Sequence, residues 1–239
     1  MLRTCHADLR AHGGFQWPET GYVAAPDWDP EPRCGGGLHG LLWGEGDGSL
    51  LDWSPTARWL VVEVDARRVV DLDLKVKAPA AWVLHVGDQV SATAYLAEHG
   101  GDGRAIVGRT ATAGYRGTAT AGDCGTATAG NYGTATAGYR GTATAGNYGT
   151  ATAGYRGTAT AGNYGTATAG DRGTATAGYR GTATAGDYGT ATAGDGGVIS
   201  IRWYDGTRYR LAVGVVGEGG IEPGVPYRVV DGRLQAVRA

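Results

Sequence analysis

Gly138-Tyr139-Arg140-Gly141-Thr142-Ala143-Thr144-Ala145-Gly146-Asn147-Tyr148-Gly149-Thr150-Ala151-Thr152-Ala153 decides the fold of this chain. It holds two copies of the phrase Gly-Thr-Ala-Thr-Ala-Gly-x-x, which runs eleven times from Arg109 to Gly196. Within Thr-Ala-Thr-Ala the residue type alternates with a period of two. That is the pleat of a β-strand, with Thr on one face and Ala on the other. The Gly-x-x-Gly between strands reads as a bend whose positive φ is supplied by glycine. An eight-residue copy is too short to fold alone, so the copies must stack.

Two architectures fit, an antiparallel meander and a solenoid in which each copy is half a coil. The corner pairs are Asn-Tyr, Tyr-Arg and Asp-Tyr rather than the Asn-Gly type that two-residue hairpins prefer. A meander would also leave a whole Ala face uncovered. Moreover, Asn131-Tyr132, Asn147-Tyr148 and Asn163-Tyr164 alternate with Tyr139-Arg140 and Tyr155-Arg156. A sixteen-residue coil of two strands and two corners puts each family on its own edge. The prediction is therefore a mainly β chain built around a two-sheet β-solenoid of sixteen-residue coils, its handedness open.

Burial sets the faces. A buried Thr face would require every hydroxyl to find an internal partner, whereas Ala forms a thin, dry core. With Ala in, the outward side chains are Thr110, Thr112, Thr118, Thr120, Thr126, Thr128, Thr134, Thr136, Thr142, Thr144, Thr150 and Thr152, continuing through Thr158, Thr160, Thr166, Thr168, Thr174, Thr176, Thr182, Thr184, Thr190 and Thr192. Threonines in one strand lie about 6.6–6.8 Å apart and coils about 4.7–4.8 Å apart, so each face is a two-column grid of methyls and hydroxyls. β-Branched Thr is stiff at χ1, which preorganises the grid. Tyr132, Tyr148 and Tyr164 fall on one edge and are expected to stack and to offer a seam for a second copy. Arg140, Arg156 and Arg172 fall on the other, beside Tyr139 and Tyr155, where they splay, stack on Tyr or meet Asp171 and Asp187.

The chain divides into residues 1–100, an α+β domain and cap; 101–196, the repeats and their lead-in; and 197–239, a β-hairpin cap. Six of seven Trp precede residue 83, so a conventional core belongs to the first part. Trp59 to Asp65, Val69 to Val76 and Ala80 to Val86 read as strands, and Val90 to His99 as a short helix. Val198 to Tyr204 and Arg208 to Val213 flank Asp205-Gly206-Thr207 as a hairpin, and a second pair surrounds Asp231-Gly232. Caps are needed because open solenoid ends would stack on other chains.

Gly is 45 of 239 residues but shows no Gly-X-Y triad, which excludes collagen. A net charge of −2 with no basic run gives no field for nucleic acid. No apolar stretch is long enough to span a bilayer and no signal-peptide core is visible, so the expected location is cytoplasmic, with signal-less export or virion association as alternatives. Cys5, Cys34 and Cys124 form no disulfide framework. Cys34 and His39, with Cys5 and His6, are the sharpest polar cluster, but their spacing matches no standard zinc site. Asp123, Asp171, Asp187 and Asp195 are too irregular for a calcium roll. No catalytic residue, metal or cofactor is expected.

Residues 138–153 resemble the sixteen-residue repeats of bacterial ice nucleation proteins, which carry outward Thr-x-Thr columns and a stacked Tyr edge. Two features depart from that family. The array has few coils, and its second half-coil repeats Thr and Ala where the family has Ser and Leu. The resemblance implies binding of ice more readily than nucleation. Phe15, Trp17, Pro26, Trp28, Cys34 and Gly35 to Gly40, followed by Trp59 to Val64, resemble an uncharacterised domain of bacterial and phage genomes, which implies no activity. Three functions follow: a Thr array that binds ice, ordered water or another repetitive polymer surface; a structural or phage-associated adhesive rod, in which Thr is only a polar strand former; and an enzyme in residues 1–100.

Overall fold

The computed structural model describes residues 1–237 and forms two compact units, Met1–Thr110 and a second beginning at Ala111. In the first, a four-stranded antiparallel sheet has the order Leu2–Cys5, Arg58–Glu63, Ala80–Gly87, Gly21–Ala24. Between its charged ends, Arg58–Glu63 is apolar and buried from Trp59 to Val62 because both its faces are covered. Leu60 and Val62 pack with Trp17, Leu38 and Val83; Trp59 and Val61 pack with Leu2, Leu41, Ala92, Leu96 and Ile106. The helix Gln89–Leu96 opens on a capping box, with Asp88 Oδ1 accepting Ser91 N–H at 2.8 Å and Ser91 Oγ accepting Asp88 N–H at 3.1 Å. It is the one α-helix among the described residues and is too short to cross a membrane.

One strand read from the sequence is not continuous. Val69 to Val76 is broken into Val70–Asp71 and Val76–Ala78, the two arms of a hairpin. Between them Asp73 sits at φ 68 with its N–H held by Asp71 Oδ1 at 2.9 Å. Alternating Asp and Leu imitates a strand, but Asp bonds its own backbone and tolerates the left-handed region, so the turn wins.

In the second unit, strands pair in parallel with partners sixteen residues away: Thr126 with Thr142, Thr142 with Thr158, Thr134 with Thr150, Thr150 with Thr166. One sheet collects the strands that begin at Thr110, Thr126, Thr142, Thr158, Thr174 and Thr190. The other collects those that begin at Thr118, Thr134, Thr150, Thr166, Thr182 and Val198. The sheets pack through Ala; Ala127, Ala135, Ala143, Ala151, Ala159, Ala167 and Ala175 are wholly buried. The sixteen-residue coil with Ala in and Thr out is thus observed. The sixth coil is completed by Val198-Ile199-Ser200-Ile201, where Ile199 and Ile201 sit in register with Ala183 and Ala185.

The corners depart from the sequence reading in one respect. The left-handed residue is not a glycine but the second variable position: Tyr132 (φ 60), Arg140 (φ 53), Tyr148 (φ 58), Arg156 (φ 55) and their equivalents. Each corner closes with a hydrogen bond from residue i+3 to i, as Gly157 N–H to Gly154 O at 2.9 Å, and has the φ signs of a type II turn. Glycine is required instead by close stacking. A Cβ on Gly154 would lie 2.8 Å from the Gly138 carbonyl, and one on Gly157 2.8 Å from Ala153 Cβ.

Beyond Ile201 both sheets turn antiparallel. Val198–Tyr204 pairs with Tyr209–Val215, and Tyr227–Val230 with Arg233–Ala236; Tyr227 also meets Ala191. Both hairpins read from the sequence are present. Val216, Ile221, Tyr227 and Leu234 close the Ala core at this end with larger side chains.

Candidate functional site

The outer faces of the two sheets are planes of threonine. The first carries twelve, two on each of six strands, and the second ten, two on each of five. In-register pairing stacks each Thr on a Thr of the next coil. The two columns are unequal. At Thr134, Thr142, Thr150, Thr158, Thr166 and Thr174 the first Thr of the pair is exposed, and its neighbour two residues on is half-buried. Thr110, Thr112 and Thr118 in the first coil are exposed, while Thr126, Thr182 and Thr190 are half-buried.

The second plane does not stop at Thr184. Val198 and Ser200 continue its columns, followed across the hairpin by Val215 and Val213. Leu211 and Val213 are about two-thirds exposed, at 63% and 60%, and give this plane an apolar rim that the first lacks. The continuation was not recognised in the sequence because the repeat wording ends at Gly196. The signal was present, since Val198-Ile199-Ser200-Ile201 keeps the eight-residue spacing and the outward–inward alternation.

Tyr132, Tyr148 and Tyr164 lie on one edge, stacked nearly parallel with centroids 4.9 Å apart. Tyr115 and Tyr179 close the stack edge-on at 5.6 and 5.5 Å. Behind the rings runs a ladder of amide oxygens that the sequence reading missed. Asn131 Oδ1 accepts Asn147 N–H, Asn147 Oδ1 accepts Asn163 N–H and Asn163 Oδ1 accepts Tyr179 N–H, at 2.8–2.9 Å. The regular Asn spacing was visible, but its role in bridging coils depends on the corner's geometry.

On the opposite edge Tyr139 stacks on Tyr155 at 5.6 Å. Two of the three arginines stack on tyrosine: Arg156 lies over Tyr155 and Arg172 over Tyr188. Asp171 is met by Arg202 from the C-terminal hairpin at 2.7 Å. Asp123 and Asp171 serve as the Asn residues do, accepting Tyr139 and Asp187 N–H groups at 2.8 Å.

In the N-terminal unit the Cys and His cluster does not assemble into a metal site. Cys5 is buried, whereas Cys34 is exposed with Lys75 Nζ donating to its Sγ at 3.2 Å. Among the described residues no three of His, Cys, Asp and Glu gather to hold a metal.

Known proteins resemble the chain in two separate parts, the repeats and the N-terminal residues. The repeat region is similar to ice nucleation proteins. It is 40% identical over 104 residues to ice nucleation protein InaU of Pantoea ananas, covering 43% of this chain and 10% of that protein. It is 38% identical over 104 residues to an ice nucleation protein of Pseudomonas syringae, covering 43% and 9%. A Xanthomonas campestris pv. translucens ice nucleation protein is 40% identical over 98 residues, covering 40% and 6%. The chain thus spans a tenth or less of the length of these relatives. Residues 1–98 match a family model described as a domain of unknown function, DUF7666. No solved structure matches the chain.

Proposed function

We propose that the threonine planes bind ice. The observation that carries this reading is the in-register stacking of Thr on Thr, coil after coil, on both sheets. Hydroxyls and methyls therefore recur at the fixed strand and coil spacings, about 6.6–6.8 Å by 4.7–4.8 Å. Each Thr is χ1-stiff, and the corners are tied to neighbouring coils by backbone hydrogen bonds such as Arg156 N–H to Asp171 O at 2.9 Å and Gly154 N–H to Ala137 O at 3.1 Å, so the grid is rigid before it meets a ligand. Such a surface can hold a layer of water in register with a crystal face. The relatives named ice nucleation proteins support the same chemistry for the repeats.

Size separates binding from nucleation. Six coils make a plane about 24 Å long. A patch this short adsorbs to an existing crystal rather than templating a new one. The Tyr edge supports pairing of two copies, since Tyr132, Tyr148 and Tyr164 form one continuous ring stack that is about half exposed.

Thermal hysteresis and ice-affinity measurements on the purified protein test the reading. Incorporation into slowly growing ice above that of an ordinary soluble control is expected. Exclusion equal to the control would leave the planes as the polar faces of a rod.

A further inference from the structure

The N-terminal unit contains a half-buried cation without a paired anion among the described residues. The Arg3 guanidinium lies over Trp17, 4.2 Å from the ring centroid. It donates only two long hydrogen bonds, both 3.3 Å, to the carbonyls of His39 and Thr4. Its Nε is buried and has no partner, and no carboxylate pairs with Arg3 among the described residues. His39 Nε2 is likewise buried without a partner. Buried charges are ordinarily paired, because leaving water without a counter-ion is costly.

Both orphan groups line the same space. Arg3, His39 and Lys75 stand between a cleft of about 670 Å³ and a smaller cavity of about 130 Å³. The wall of the larger cleft is the Gly35-Gly36-Gly37 loop. This loop is fixed from behind by fully buried Lys77, whose Nζ donates to the Arg33 and Gly35 carbonyls at 2.8 and 3.0 Å. Asp27, the carboxylate on that wall, is occupied by the Gly37 N–H at 3.2 Å. We propose that this cleft binds the oxyanion of a small phosphate- or carboxylate-bearing molecule, with Arg3 and Lys75 supplying charge and His39 a further polar contact. Burial lowers the Arg3 pKa only to about 10, so the guanidinium remains charged at neutral pH. Lys77 anchors the glycine loop and Trp17 stacks on Arg3, so the walls of the site are fixed by the chain's own contacts.

Cys34 lies on the cleft wall with Lys75 against its Sγ, which makes it a reporter. The test compares alkylation by anionic iodoacetate and neutral iodoacetamide on the full chain, read at Cys34 by peptide mass spectrometry, with Cys124 in the repeats as internal reference. The expected preference for iodoacetate at Cys34 over Cys124 is about three- to tenfold, the size of one or two partly screened charge interactions. Inorganic phosphate or acetate should suppress it at Cys34 and leave Cys124 unchanged; the more protective of the two shows which oxyanion the cleft favours. Lys75→Met and Arg3→Gln should each reduce the preference. Where Arg3→Gln fails to fold, protection of the wild type decides. Equal reactivity of the two reagents with no protection overturns the proposal. So does a preference that vanishes in Lys75→Met but persists in a folded Arg3→Gln, since Lys75 alone would then account for it.

Discussion

The side-chain oxygen of Asn147 accepts the backbone N–H of Asn163 at 2.8 Å, and Asn147's own N–H is held by Asn131 at 2.9 Å. This links three coils through one position, immediately before the residues that form the Tyr stack. Corner and stack are therefore a single device: the amide ladder fixes the coil spacing and the rings cover it.

Replacing Asn147 with Ala removes one acceptor and leaves the Asn163 N–H unpaired. The expected loss is about 1 kcal/mol by chemical denaturation, with faster hydrogen exchange at Asn163. Asn147→Asp keeps the acceptor and should preserve slow exchange. An Asn163 amide equally protected in Asn147→Ala would show that the ladder does not hold the corner.

The left-handed corners should respond oppositely at two positions. Arg140 sits at φ 53, a conformation that costs a non-glycine residue roughly 1–2 kcal/mol and that Asn tolerates better. Arg140→Asn is therefore expected to stabilise the array by up to about 1 kcal/mol. Tyr148 has the same strain, φ 58, but stacks on two neighbours at 4.9 Å. Tyr148→Asn should destabilise, because each aromatic contact contributes about 0.5–1.5 kcal/mol. A shift of both denaturation midpoints in one direction would contradict this division.

The thin core sets a third expectation. Ala151 is fully buried between the sheets, and Thr150 beside it points out. Ala151→Leu should cost about 1–3 kcal/mol or more by overpacking. Thr150→Val keeps the β-branched shape at an exposed site, and its midpoint should stay within about 0.5 kcal/mol of wild type. Equal sensitivity at the two positions would mean the faces are not as different as burial indicates.

What was legible in the sequence follows from which interactions are local. Thr-Ala alternation fixes the strand, and the sixteen-residue rhythm of corner pairs fixes which strands meet, so the coil and its faces could be read directly. The role of glycine was misread because spacing reveals a corner without revealing which residue carries the positive φ. That choice is made by the neighbouring coil, whose backbone leaves no room for a Cβ at Gly154 or Gly157 and drives Arg156 into the strained position. The broken strand around Asp73 fails for a similar reason, since side chain–backbone bonding overrides an alternating pattern. The outward Thr residues were visible as a set, but the unequal exposure of the two columns depends on packing around each strand.

The Tyr edge makes a concentration-dependent prediction. If it pairs two copies, light scattering should show a dimer, and combined Tyr132→Ser, Tyr148→Ser and Tyr164→Ser should give a monomer that still folds. A wild-type monomer at high concentration would reduce the stack to a stabiliser of its own edge.

The ice reading is tested most sharply by breaking the planes one at a time. Contact with a lattice draws on many weak, matched positions rather than on any single strong bond, so a bulky charge at the centre of a plane should disturb its neighbours as well. Thr150 is exposed on the second plane, between Thr134 and Thr166. Thr150→Lys should therefore lower ice affinity only in part, because the first plane keeps Thr142, Thr144, Thr158 and Thr160. Adding Thr158→Lys damages that plane too, and the double variant should lose ice affinity and thermal hysteresis altogether. Both side chains point away from the Ala core, so the denaturation midpoint should remain close to wild type and separate loss of binding from loss of fold. The first plane has more threonines and no apolar rim, so Thr158→Lys alone should cost more activity than Thr150→Lys alone. Equal ice affinity in wild type, both single variants and the double variant would remove the planes from the binding surface.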